Sequence, residues 1–135
     1  MTFAPNDATT QRALAVLRIV TAFLLIQHAT AKLFGFPRVA YFDNLQVLSL
    51  VGMAGMLELV GSLFLLAGLF TRPVAFVLSG LLAFAYFIGH APKGNVLSPM
   101  LNGGESAVLF CFLFLFLAAA GAGAWSVDAS RSSAA

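Results

Sequence analysis

The sequence predicts an all-α fold: a four-helix transmembrane bundle running up-down-up-down, as one domain over residues 1–135. Three observations carry this. Hydrophobic residues make up 61% of the chain and charged residues 9%, where soluble domains hold about 45–50% and about 25%. The mean hydropathy is +0.97, more apolar surface than a soluble core of this size can hide. The apolar residues also fall into four runs, 14–36, 48–70, 73–89 and 105–122, each near the roughly 20 residues that cross hydrocarbon. Lipid offers the backbone no hydrogen-bond partners, so each run is expected to be a helix.

The first two runs are long enough as they stand. Gly35-Phe36-Pro37 ends the first, and the segment from Arg38 to Val47 reads as an amphipathic loop at the interface. "FTRP", 70–73, is a tight turn in which Thr71 is expected to cap the third helix and Pro73 to occupy its first turn. The third run is short and relies on its flanks or on local thinning of the bilayer. "HAPKGNVLSPMLNGGE", 90–105, is a loop punctuated by proline and glycine. It delivers Glu105 to the first turn of the last helix, where the helix dipole favours an anion. "GAGAWS" ends that helix and places Trp125 at an interface. The tails, 1–10 and 129–135, are small and polar and are expected to be mobile.

Other classes fall away. A net charge of +2, scattered along the chain, leaves no basic stripe for nucleic acid. The single cysteine, Cys111, excludes an internal disulfide, a CxxC pair and a cysteine metal cage. It reads as a small packing residue. "ATA", 29–31, loosely imitates a signal-peptide cleavage site, but Arg18, Gln27 and His28 interrupt the apolar run before it. Arg12, Arg72 and Arg131 fall on one side of an even-span bundle. Arg38 and Lys93 fall on the other, with Lys32 near its edge, so the positive-inside rule favours both termini in the cytoplasm by a narrow margin.

The polar residues within the spans carry the functional reading. A charge at mid-bilayer costs about 2.5–3.5 kcal/mol, so such residues are expected to face inward, pair, or sit near an interface. Counting rise from the helix ends puts His28 about 9 Å below the end of the first helix and Glu58 roughly 9–15 Å below the start of the second, on the same side. Lys32 lies one turn above His28. His90 closes the third helix and Glu105 opens the fourth, both on that side. These five residues are expected to converge in one half of the bundle, with Glu58 and Glu105 pairing to His28 and Lys32. Small residues support an inward Glu58: Gly55 and Ser62 flank it at helical spacing, and Ala54, Gly61, Gly68 and Ala75 recur every seven residues. Arg18, toward the other half, is expected to snorkel to the interface. No two metal-ligand residues share an HxxxH or ExxH spacing, and Lys32 would repel a cation, so no metal is expected.

The motifs HATAKLFG (28–35), ELVG (58–61), GLFTRP (68–73), HAP (90–92), NGGE (102–105) and GAGAWSVD (121–128) occur in order. Through them the chain resembles the DoxX family of small bacterial membrane proteins, over nearly all of 14–128. The resemblance implies a four-helix protein of the bacterial inner membrane. It also implies a role beside redox chemistry, because relatives serve as subunits of a thiosulfate:quinone oxidoreductase or accompany sulfur and oxidative-stress enzymes. On this reading His28, Lys32, Glu58, His90 and Glu105 line a polar pocket for a ligand such as a quinone, with no covalent cofactor. The expected partners are the lipid bilayer, redox proteins and further copies of the chain. The alternative is an assembly factor or scaffold in which the same residues serve as interhelical glue. The chain departs from redox relatives in lacking a cysteine pair and a haem-ligand pair at matched depth.

Overall fold

A computed structural model describes residues 7–133. Its regular elements, among the described residues, are helical. They are α1 (Ala8–Phe34), α2 (Leu50–Ala67), α3 (Thr71–Ala85), α4 (Pro99–Asn102), α5 (Glu105–Ala120) and α6 (Val127–Ser132), with single turns at Ala40–Phe42 and Ala91–Lys93. A π turn at Tyr86–His90 extends α3, so that Thr71–Lys93 forms one apolar rod of 23 residues. This rod, α1 and α2 have the length and hydropathy to cross a membrane. The fourth apolar helix, α5, has 16 residues, which at 1.5 Å each span about 24 Å.

α1 packs along α2 and α3 along α5, and these two hairpins meet over smaller α2–α3 and α1–α5 contacts. The buried side chains explain the pairing. On α1 the stripe Leu14, Arg18, Ala22, Leu25, Ala29 recurs every three or four residues, which aligns it on one face. On α2 the stripe is Gly52, Gly55, Glu58, Ser62, Leu65. A Cβ at Gly55 would stand 3.1 Å from Lys32 Cβ, and one at Gly61 would stand 2.8 Å from Leu78 Cδ2. The small residues therefore serve two seams, Gly55 toward α1 and Gly61 toward α3. On α5 the alternating phenylalanines divide: Phe110 and Phe114 are buried, Phe112 and Phe116 exposed.

The two ends of the bundle are built differently. The loop end carries the close of α1 and α3 and the starts of α2 and α5. There Asn102 Nδ2 donates to Tyr86 Oη at 3.0 Å, Tyr86 Oη donates to the Val96 carbonyl at 2.6 Å, and the Gly104 amide donates to Asn102 Oδ1 at 2.9 Å. These bonds fix the long loop before α5. The terminal end carries both tails. Residues 8–10 form the first turn of α1 and 129–132 belong to α6. The outer parts of the predicted loose tails, 1–6 and 134–135, lie outside the described residues.

Two expectations are corrected at the terminal end. Thr71 does not cap α3: the cap position is Phe70, and no side chain of its own closes the helix start. Asp128, from the far end of the chain, accepts from the Phe70 and Thr71 amides at 2.9 and 2.8 Å. Nor does Arg18 snorkel. It is 0% exposed and donates to five backbone carbonyls: Ala122 (2.9 Å), Leu65 (2.5 Å), Leu66 (2.8 Å), Ala124 (3.4 Å) and Trp125 (2.8 Å). A guanidinium has five N–H donors, so each is used. Leu65 and Leu66 end α2, where the helix dipole is negative and favours a cation. The last segment must approach closely to reach Arg18. Gly68 (φ +67°) and Gly123 (φ +71°) sit where a side chain would strike Ser126 or the α1 backbone.

Candidate functional site

Lys32 and Glu58 meet inside the bundle. Lys32 Nζ lies 2.6 Å from both Glu58 carboxylate oxygens. The Glu58 side chain is 2% exposed and that of Lys32 11%. α1 brings Lys32 to this level at its last turn, on the same side as buried Leu25 and Ala29. α2 brings Glu58 inward between Gly55 and Ser62. Ser62 Oγ donates back to the Leu59 carbonyl at 2.9 Å, so it satisfies itself and leaves Glu58 to Lys32. The Phe42 ring, on the turn between α1 and α2, lies 5.9 Å from Lys32 Nζ and covers the pair from the loop end. A buried charge is tolerated when its partner is fixed and close, and both conditions hold.

His28 stands one turn below Lys32 and within electrostatic reach of both charges. It is exposed on the surface of α1. Its ring meets Phe110 of α5 edge-on at 5.7 Å between centroids. Among the described residues its nitrogens make no hydrogen bond. An imidazole has one donor and one acceptor when neutral, and among the described residues neither is used.

The other two predicted site residues stand apart. His90 stacks on Tyr86 at 6.4 Å, and its Nδ1 is buried without a hydrogen-bond partner among the described residues. Glu105 is exposed in the first turn of α5. Neither makes a hydrogen bond or ion pair with Lys32 or Glu58. The expected pairing of Glu105 with the α1 cations does not occur, because depth along a helix does not fix the direction a residue faces. Glu105 opens instead on an outer groove formed with α4. Among the described residues no group of three or more His, Cys, Asp and Glu comes together as a metal site.

Sequence reasoning missed the second polar centre, at the terminal end. Burial pushes the Asp128 carboxyl up, but the hydrogen bonds from Thr71 and Phe70 and the charge of Arg131 outweigh it and hold it below the ordinary carboxylate range. Arg72 donates to the Ala118, Ala119 and Ala120 carbonyls and closes the end of α5. Two arginines thus satisfy the free carbonyls at the ends of α2 and α5, which helices leave open. The motif GAGAWSVD was the available signal: its glycines admit the close approach, its carbonyls receive Arg18, and its aspartate caps α3.

An uncharacterized protein of Haemophilus influenzae is 48% identical over 99 residues, covering 72% of this chain and 74% of its own length. No solved structure matches. The DoxX family profile matches residues 13–91, the span that holds Arg18, the Lys32–Glu58 pair and the GLFTRP turn. The chain is a multi-pass membrane protein and belongs to the DoxX family.

Proposed function

We propose that this chain is a non-catalytic subunit of a membrane oxidoreductase complex in the bacterial inner membrane, with both termini cytoplasmic, and that it presents His28 to a quinone headgroup in the bilayer. One observation carries the reading. His28 is exposed at the level of a closed ion pair, with no hydrogen-bond partner for its ring nitrogens among the described residues. An unsatisfied polar side chain facing hydrocarbon is costly unless something binds it. A quinone fits the residues present: its carbonyl oxygen accepts from an imidazole N–H, while buried Phe110 holds the His28 ring edge-on from behind. Bound there, a quinone would supply the complex with a carrier of electrons and protons. The chain's part is to position that headgroup. The Lys32–Glu58 pair holds α1 and α2 in register behind it. Redox partner proteins and further copies of the chain are proposed neighbours.

The test is a titration of the purified protein in nanodiscs with a short-chain quinone. Saturable binding lost in His28→Ala, at unchanged thermal stability, supports the reading. Equal binding by wild type and variant overturns it.

A second reading, a scaffold whose polar groups serve as glue, is favoured by the completeness of the Lys32–Glu58 pair, which presents almost no surface to a ligand. It predicts that His28→Ala is silent in every assay, quinone binding included.

A further inference from the structure

We propose a second, independent binding site on the outer face of α5: a groove for a phospholipid whose headgroup carries a primary ammonium. The groove has a volume of about 490 Å³ and is lined by Leu97, Pro99, Met100, Leu101, Val108 and Leu109, with Ser98 and Glu105 its polar members. Its apolar walls are open to the bilayer: Leu97 is 86% exposed, Met100 72%, Leu101 74%. These residues flank and form α4, a single turn lying across the start of α5. At the depth where a loop enters a helix, the bilayer presents headgroups and upper acyl segments. The groove thus meets the part of a lipid that is half apolar and half charged.

Charge complementarity selects the headgroup. Lys32, Arg38 and Lys93, cations of the loop end, are engaged elsewhere. Lys32 pairs with Glu58, Arg38 with Asp43, and Lys93 lies 4.7 Å from the Tyr41 ring. Glu105, among the described residues, has no cationic partner and no hydrogen bond on its carboxylate. Ser98 stands at the N-cap position of α4, yet its hydroxyl caps nothing and makes no hydrogen bond among the described residues. A carboxylate and a free hydroxyl at the edge of an apolar groove match an ammonium and an adjacent phosphate oxygen. Acyl chains lie along Leu101, Val108 and Leu109. An anionic headgroup would meet Glu105 as a like charge. A trimethylated ammonium keeps the charge but has no N–H to donate.

The experiment is native mass spectrometry of the full chain released from nanodiscs of phosphatidylethanolamine, phosphatidylglycerol and phosphatidylcholine in equal parts. The expected result is one retained phosphatidylethanolamine per chain. In Glu105→Gln that retention falls roughly tenfold, the scale of one charge-assisted hydrogen bond. Glu105→Lys shifts it toward phosphatidylglycerol. Equal retention of the three lipids, unchanged retention in Glu105→Gln, or a groove covered by a second copy of the chain as a stable dimer would each overturn the assignment. Because quinone binding is placed at His28, it is expected to be unaffected by Glu105→Gln, so the two proposals fail separately.

Discussion

Replacing Arg18 with leucine removes one side chain and leaves five backbone carbonyls without their donor. The carbonyls of Leu65 and Ala122 are buried with the guanidinium. An unsatisfied buried acceptor costs about 1–3 kcal/mol, so these two alone account for about 2–6 kcal/mol. The other three are partly buried and recover some solvation from interfacial water. Leucine offsets part of the loss, because a guanidinium is itself costly to desolvate. The net expectation is a destabilisation of about 3 kcal/mol, a large share of a total near 5–15 kcal/mol. Arg18→Lys keeps the charge but has three donors and is expected to lose about half as much. The assay is thermal unfolding in detergent together with limited proteolysis of the last ten or so residues. Arg18 and Asp128 together hold that segment, so cleavage there is expected to accelerate in Arg18→Leu before the bundle unfolds. A variant that melts with wild type and keeps its C-terminal segment protected would refute the reasoning.

Other predictions follow from the same contacts. Glu58→Leu leaves Lys32 as an unpaired buried ammonium and is expected to cost about 3–5 kcal/mol, while the double variant Lys32→Met/Glu58→Leu recovers most of it; a double-variant thermal melt checks this. Gly68→Ala forces a left-handed backbone on alanine, worth roughly 1–2 kcal/mol, and sets its Cβ 3.0 Å from Arg18 Cζ, so its melting temperature is expected to fall below that of Gly80→Ala, where a Cβ meets open space. Asp128 is held below its ordinary range, so its contribution is present above an unfolded value of about 3.9 and is lost as pH falls through the native value. Wild type is therefore expected to lose stability at the terminal end below about pH 4, and Asp128→Asn to show a flatter acid limb in a pH series of melts.

The four apolar helices were legible because hydropathy and length act along the chain, and so does the depth of a residue below a helix end. Lys32 and Glu58 were recovered in this way, with Gly55 and Ser62 marking the inward face of α2. Direction around a helix was less legible. His28 and Lys32 are separated by four residues, yet that step turns about 40°, enough to leave His28 on the surface while Lys32 enters the seam. Glu105 has the right depth and faces outward. Arg18 was misread for a different reason: its partners are backbone carbonyls, which carry no sequence signature, so a lone arginine near a helix start looks like a snorkelling residue. Asp128 lies 57 residues from the Thr71 amide that it caps, and only the fold brings them together.

The central claim is that His28, backed by the Lys32–Glu58 pair, is the point at which this chain meets a quinone. A photoreactive quinone crosslinked in nanodiscs and mapped by peptide mass spectrometry tests it most directly. The account predicts adducts on α1 around His28 and on α5 around Phe110, competed away by excess unlabelled quinone. Adducts spread evenly over the exposed apolar faces, or concentrated elsewhere and indifferent to competitor, would contradict it.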